Sequence, residues 1–127
     1  QADVIALEHT GIVFEVLTET AGAFGPKPAI SFQIKSGEKD KAETLTWTDF
    51  HGKVAQAANL FRSLGVGRND VVAYLLPNAN ETVIALFGGM TAGIVNPINP
   101  LLEAEQIGQI LRKRHQRRLR ALPGNLF

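Results

Sequence analysis

The chain has 127 residues, 45% of them hydrophobic and 20% charged, with a formal net charge of +1 and no cysteine. This length fits one small domain that buries about two-thirds of its unfolded surface, and the missing cysteines exclude a disulfide framework or thiolate chemistry. The longest apolar run, Val83 to Val95, has 13 residues, against the roughly 20 that a membrane-spanning helix needs.

Gln1 to His9 carries no structural signal, and no basic segment precedes an apolar run there. No signal peptide is therefore expected, and the expectation is a soluble, cytoplasmic chain. Thr10 can cap a helix over Gly11 to Phe24, in which Ile12, Val13, Val16, Leu17, Ala21 and Phe24 recur near helical spacing. Gly25-Pro26 stops it. From Pro28 to Lys35, Ile30, Phe32 and Ile34 alternate with Ser31, Gln33 and Lys35, the pattern of a strand with one dry face. Ser36 to Glu43 is a polar link, and Leu45 with Trp47 suggests the returning strand of a hairpin. Thr46-Trp47-Thr48-Asp49 reads as a capping box, hydroxyl and carboxylate each meeting a backbone N–H. The helix behind it runs to about Leu64, with Phe50, Val54, Ala57, Phe61 and Leu64 on one face. Gly65 ends it.

Val71 to Leu76 is a short, nearly all-apolar run closed by Pro77-Asn78, as expected of a strand buried on both faces. Asn78-Ala79-Asn80-Glu81 follows as a helix start, an asparagine oxygen accepting an orphan N–H and Glu81 completing the signature. The helix spans Thr82 to Ala92, and Gly93 is expected as a left-handed stop. Ile94 to Pro97 is a second brief strand. Strand, helix and strand within about 30 residues make a parallel crossover unit, whose sheet needs helices over it. Pro97-Ile98-Asn99-Pro100 is a stiff loop, and Glu103 to Leu111 is a last helix with Ile107, Ile110 and Leu111 apolar. The fold class expected is α/β, a partial and mainly parallel sheet flanked by helices, with an antiparallel hairpin near the N-terminus.

Charge divides the chain unevenly. Residues 112–120, RKRHQRRLR, hold six of the 13 basic residues and no acid, which leaves seven basic against 12 acidic residues elsewhere. A solvated end explains such a run; phosphate contacts are the rival explanation. No aromatic residue is interleaved to stack on bases, so nucleic acid is not the expected partner.

Candidate chemistry is sparse. A phosphate-cradling loop needs closely spaced glycines with Lys, Ser or Thr; Gly65-Val66-Gly67 comes nearest but lacks the strand before it and reads as a helix cap. Gly88, Gly89 and Gly93 read as close helix–sheet packing. His9, His51 and His115 stand far apart without metal-ligand spacing, and His51, near the start of its helix, reads as structural. Ser31, Ser36 and Ser63 lack an esterase elbow. Asn80-Glu81-Thr82 matches a glycosylation sequon, yet a helix-start role accounts for Asn80. No catalytic, cofactor-binding or metal-binding residue is assigned.

The run Gly65 to Pro100, with LGVGRNDVVAYLLPNANE and AGIVNPINPLL, resembles the N-terminal region of the adenylate-forming acyl-CoA synthetases. Leu64, Gly65, Val66, Asp70, Val72, Ala73, Leu76, Pro77, Asn78 and Glu81 fall in register with that family's phrase, as do Gly93, Asn99 and Pro100. Asn69 stands where the family usually has glycine. Asn99-Pro100 followed by Leu101-Leu102 is closer to the acyl- and aryl-CoA ligases than to amino-acid-activating domains. The resemblance covers about Thr10 to Leu111 and stops there. A frame slip, a cloning-derived end or a lineage-specific tail would each produce that break.

The resemblance implies a division into residues 1–111, an incomplete N-terminal part of the large synthetase domain, and residues 112–127, a basic tail outside the family pattern. It implies a parent that uses ATP and magnesium to convert a fatty or aryl acid to an acyl-adenylate, then transfers the acyl group to CoA. The family's phosphate loop, aromatic-Thr-Glu motif, ribose-binding Asp and lid lysine have no counterpart in the 127 residues. The chain alone is therefore expected to be an inactive scaffold whose partner is the remainder of the parent. Apolar surface meant for that remainder could also pair two copies. The rival readings are an interaction module using an exposed sheet edge and a nucleic-acid binder using Arg112 to Arg120.

Overall fold

Helix α1, Gly11–Phe24, leads into a hairpin of β1, Pro28–Phe32, and β2, Glu43–Thr46, and then into the long helix α2, Trp47–Ser63. Strand β3, Val71–Tyr74, helix α3, Asn80–Ala92, and strand β4, Ile94–Pro97, form the crossover unit, and helix α4, Ala104–Lys113, follows. This computed structural model describes residues 11–33 and 42–113. Outside them lie the expected end of β1 at Ile34-Lys35, most of the polar link, His9, His115, and the basic run beyond Lys113.

The described residues form two sheets of two strands each: β1–β2 antiparallel, β3–β4 parallel. On the hairpin, Ile30 and Phe32 turn inward while the hydroxyls of Ser31 and Thr44 meet at 2.8 Å on the wet face. Trp47 does not extend the returning strand. It opens α2, because Thr46 Oγ1 accepts the N–H of Asp49 (3.1 Å) and turns the chain into the helix. The backbone after α1 supplies two more partners for that helix start: Trp47 N–H donates to Lys27 O (3.0 Å) and Thr48 N–H to Gly25 O (3.1 Å). At its far end Val66 N–H donates to Phe61 O and Gly65 N–H to Arg62 O, with Gly65 at φ +94°, a Schellman stop.

The core lies between α2 and α3, with α1 against both. Phe50, Val54, Ala57 and Phe61 are buried along α2 as their spacing predicts, and Ala55 and Ala58 widen the stripe. Glycines set the helix separation. A Cβ on Gly88 would stand 2.7 Å from Ala57 Cβ, and one on Gly89 would stand 3.1 Å from Val95 Cγ2, so α3 lies close to α2 on one side and to the β3–β4 sheet on the other.

Four expectations need correction. On α1 the buried residues are Phe14 and Leu17, while Ile12 is 78% and Val16 55% exposed, and Val13 and Phe24 are exposed too. Apolar residues cover more than half of the helix's circumference, and the part that is buried carries Phe14, whose ring lies 4.9 Å from that of His51. Neither asparagine caps α3: Ala79 is the N-cap, with no side-chain bond. Gly93 is extended (φ −166°), not left-handed; a side chain there would meet Asp70 O at 2.6 Å and Gly67 O at 2.7 Å. Finally, β3 is half-buried throughout. Val72 and Val95 point at Gly89 of α3, and by the two-residue alternation Val71, Ala73, Ile94 and Asn96 turn to the other side, which leaves Ile94 49% exposed.

Candidate functional site

An open depression of about 400 Å³ lies between β1 and the start of α3, lined by Ile30, Ser31, Phe32, Asn78, Ala79, Asn80, Thr82 and Val83. Strand alternation presents Ile30 and Phe32, and the Pro77-Asn78 break turns the chain so that the first turn of α3 faces them. Three of its polar side chains, those of Ser31, Asn80 and Thr82, are already engaged. Asn80 is 3% exposed and its Nδ2 donates to Glu43 O at 2.8 Å, which ties α3 to the loop end of the hairpin. Thr82 Oγ1 donates to Pro77 O, and Ser31 is bonded to Thr44. Among the described residues no charged side chain lines the depression, and those that line it offer shape with a few amide and hydroxyl groups.

The Gly65-Val66-Gly67 loop is likewise committed to its own fold. The N–H groups of Gly65 and Val66 close the α2 stop, Gly67 N–H donates to Asp70 Oδ2 at 2.7 Å, and Asp70 N–H donates to Gly67 O at 3.0 Å. A phosphate needs free N–H groups, and here a carboxylate already accepts one of them. Asp70 then accepts Ile94 N–H on its carbonyl at 2.8 Å, so one residue closes the turn and starts the parallel ladder. Asn99 Oδ1 accepts Leu101 N–H at 2.9 Å, a turn that ends the stiff loop before α4. The α4 start is held by Gln106 Oε1, which accepts Glu103 N–H at 3.1 Å.

His51 sits on α2 against α1. Thr18 Oγ1 donates to Phe14 O at 2.8 Å, so its lone pair is what meets His51 Nε2 at 3.0 Å and Nε2 carries the hydrogen. Burial lowers the His51 pKa from its ordinary value and raises that of Tyr74. Among the described residues no group of three or more His, Cys, Asp or Glu side chains could hold a metal ion. No described helix is long and apolar enough to cross a membrane.

The sequence reading missed Asn80 as the tie between hairpin and crossover unit, Asp70 as the pivot of turn and sheet, and Asn99 as the turn former. The signal for Asn80 was faint: a polar residue at the first position of a helix whose next turns bury Ile84 and Ala85.

Residues 17–118 match the model of the AMP-binding enzyme family. The chain belongs to that family. The matched stretch runs seven residues past Leu111. Among family relatives, the marinolic acid–CoA ligase of Pseudoalteromonas sp. (strain SANK 73390) is 37% identical over 79 residues, 62% of this chain and 12% of the ligase. The long-chain-fatty-acid–CoA ligase of Bacillus subtilis (strain 168) is 36% identical over 98 residues, 76% of this chain and 16% of the ligase. The chain thus spans less than a fifth of either ligase. In fold it resembles the Klebsiella oxytoca NpsA N-terminal subdomain, with a TM-score of 0.71 at 18% identity over 83% of this chain and 26% of that one.

Proposed function

We propose that this AMP-binding-family chain is the N-terminal scaffold of an acyl-CoA synthetase, a cytoplasmic ligase that uses ATP and magnesium to turn a fatty or aryl acid into an acyl-adenylate and passes the acyl group to CoA. The observation that carries the reading is the β3–β4 pair: among the described residues, a parallel sheet of two strands with α3 against one side and Ile94 and Leu75 left exposed. Parallel sheets are stable when larger and covered on both faces. The residues that match the family's phrase serve this frame: Asp70 joins turn to strand, Gly93 admits the turn against the helix end, and Asn99 shapes the exit loop. Positioning the rest of the enzyme is the work these residues can do, since catalysis in such a ligase depends on holding phosphoryl and carboxylate groups in place.

Two measurements test this. The purified chain, given ATP, magnesium, CoA and carboxylic acids from acetate to palmitate with benzoate, is expected to release no pyrophosphate above background. The Bacillus ligase named above, with its matching stretch replaced by this chain, is expected to release pyrophosphate when given palmitate. Turnover by the chain alone, or a folded but inactive graft, would overturn the reading.

A further inference from the structure

We propose that α4, with Leu101 before it and the basic run 112–120 at its end, docks this chain on an anionic lipid surface, the helix lying in the plane of the headgroups. Helix α4 is two-faced. Ile107, Ile110 and Leu111 recur three and four residues apart on one side, while Glu105, Gln109, Arg112 and Lys113 take the other. The fold makes little use of the apolar stripe. No residue of α4 is buried, and Ile107, Ile110 and Leu111, each half-buried, stand outside the core cluster and the side chains packed on it. Turning that stripe toward lipid therefore gives up little packing. Leu101, in the turn before the helix, is 89% exposed, the most open large apolar side chain among the described residues.

Charge identifies the partner. Arg112 and Lys113, both exposed, close α4 and open the run RKRHQRRLR, six basic residues without an acid, whereas the rest of the chain has seven basic against 12 acidic residues. A negatively charged surface attracts this end of the chain and repels the body, which turns α4 toward it. The Arg112 guanidinium lies back over Gly108, its Nη1 3.3 Å from where a Cβ of that residue would stand. A group suited to phosphate oxygens is thus held beside the apolar stripe. Nucleic acid would meet the same charges, but it has no use for the stripe, and the run holds no aromatic residue to stack on bases. Apolar side chains flanked by cations are what the boundary between headgroups and acyl chains accepts.

The test is co-sedimentation of the full chain with vesicles. It is expected to bind equimolar phosphatidylglycerol and phosphatidylcholine, to bind phosphatidylcholine alone more than about tenfold more weakly, and to come off as salt is raised. Arg112→Gln with Lys113→Gln should weaken binding about thirtyfold, and Leu101→Gln about tenfold; all three side chains are exposed, so the urea midpoint should hold. Because the chain has no cysteine, Ile110→Cys and Gln109→Cys each accept one environment-sensitive dye. The dye is expected to brighten on vesicles in the Ile110→Cys chain and to stay dim in the Gln109→Cys chain. An equal response in both, or vesicle binding indifferent to Leu101→Gln, would mean that the charged run adsorbs without the helix and overturns the inference. So does the absence of vesicle binding, or equal binding to both kinds of vesicle. Salt-sensitive binding to RNA or DNA with none to vesicles also overturns it, and gives the run to nucleic acid.

Discussion

His51 shows how one side chain couples two helices to pH. Its ring lies on Phe14, its Nε2 hydrogen goes to Thr18, and both neighbours belong to α1 while His51 belongs to α2. Burial favours the neutral ring, so the folded pKa lies below the unfolded one. Protons then bind more readily to the unfolded chain, and stability is lost as pH falls below about 6.5. The denaturation midpoint is expected to fall between pH 7.5 and pH 5. His51→Gln keeps a donor toward Thr18 and does not titrate, so it should flatten that part of the profile. An unchanged slope in the variant would show that other groups set it.

At the scale of elements, the α2–α3 contact depends on the absence of a methyl group at Gly88. Gly88→Ala places a Cβ 2.7 Å from Ala57 Cβ and 3.3 Å from Ala58 N, in a helix pair with nowhere to give. Overpacking of that kind destabilises by about 1–3 kcal/mol, which outweighs the gain of about 1 kcal/mol from alanine's better helix propensity. Gly52→Ala is the control, because a Cβ there meets nothing within 4 Å and should stabilise by up to about 1 kcal/mol. Urea midpoints are expected to move in opposite directions; equal shifts would mean that α2 and α3 are not held this closely. The same scale shows what the sequence made legible. Helix positions followed from local signals: Thr46 and Gly65 punctuate α2 through bonds within six residues, and the Phe50-to-Phe61 stripe is periodic. The rotation of α1 was not legible, because its apolar residues occupy several faces and the choice fell to the contact of Phe14 with His51, 37 residues away. The roles of Gly93 and Asn80 were hidden for the same reason: their partners, Asp70 and Glu43, lie 23 and 37 residues back in the chain.

Across the described residues of the whole molecule, Ile12, Val16, Phe24, Leu75, Ile94 and Leu101 are large apolar side chains left exposed. Two sheets of two strands each are below what usually stands alone in water, so stability falls to the α2–α3 core, where Val54 is wholly buried. Ile12 and Val16 on α1 form a second uncovered patch, one helical turn apart and remote in chemistry from the acidic Glu15 and Glu19 beside them. Such patches promote association, while substituting an exposed residue changes stability by no more than about 0.5 kcal/mol in most cases. Ile12→Lys combined with Val16→Lys is therefore expected to lower binding of an apolar-surface dye and any concentration-dependent light scattering, with the urea midpoint nearly unmoved. Val54→Ala should do the reverse, costing about 2 kcal/mol through lost burial and a residual cavity while leaving the patch intact. If the lysine pair unfolded the chain as Val54→Ala does, α1 would be packed on its outer face and the assignment of that face as uncovered would be wrong. If dye binding were absent from the start, the same surface would already be covered in solution, and the chain would hold itself together without the additional structure its half-covered sheet calls for.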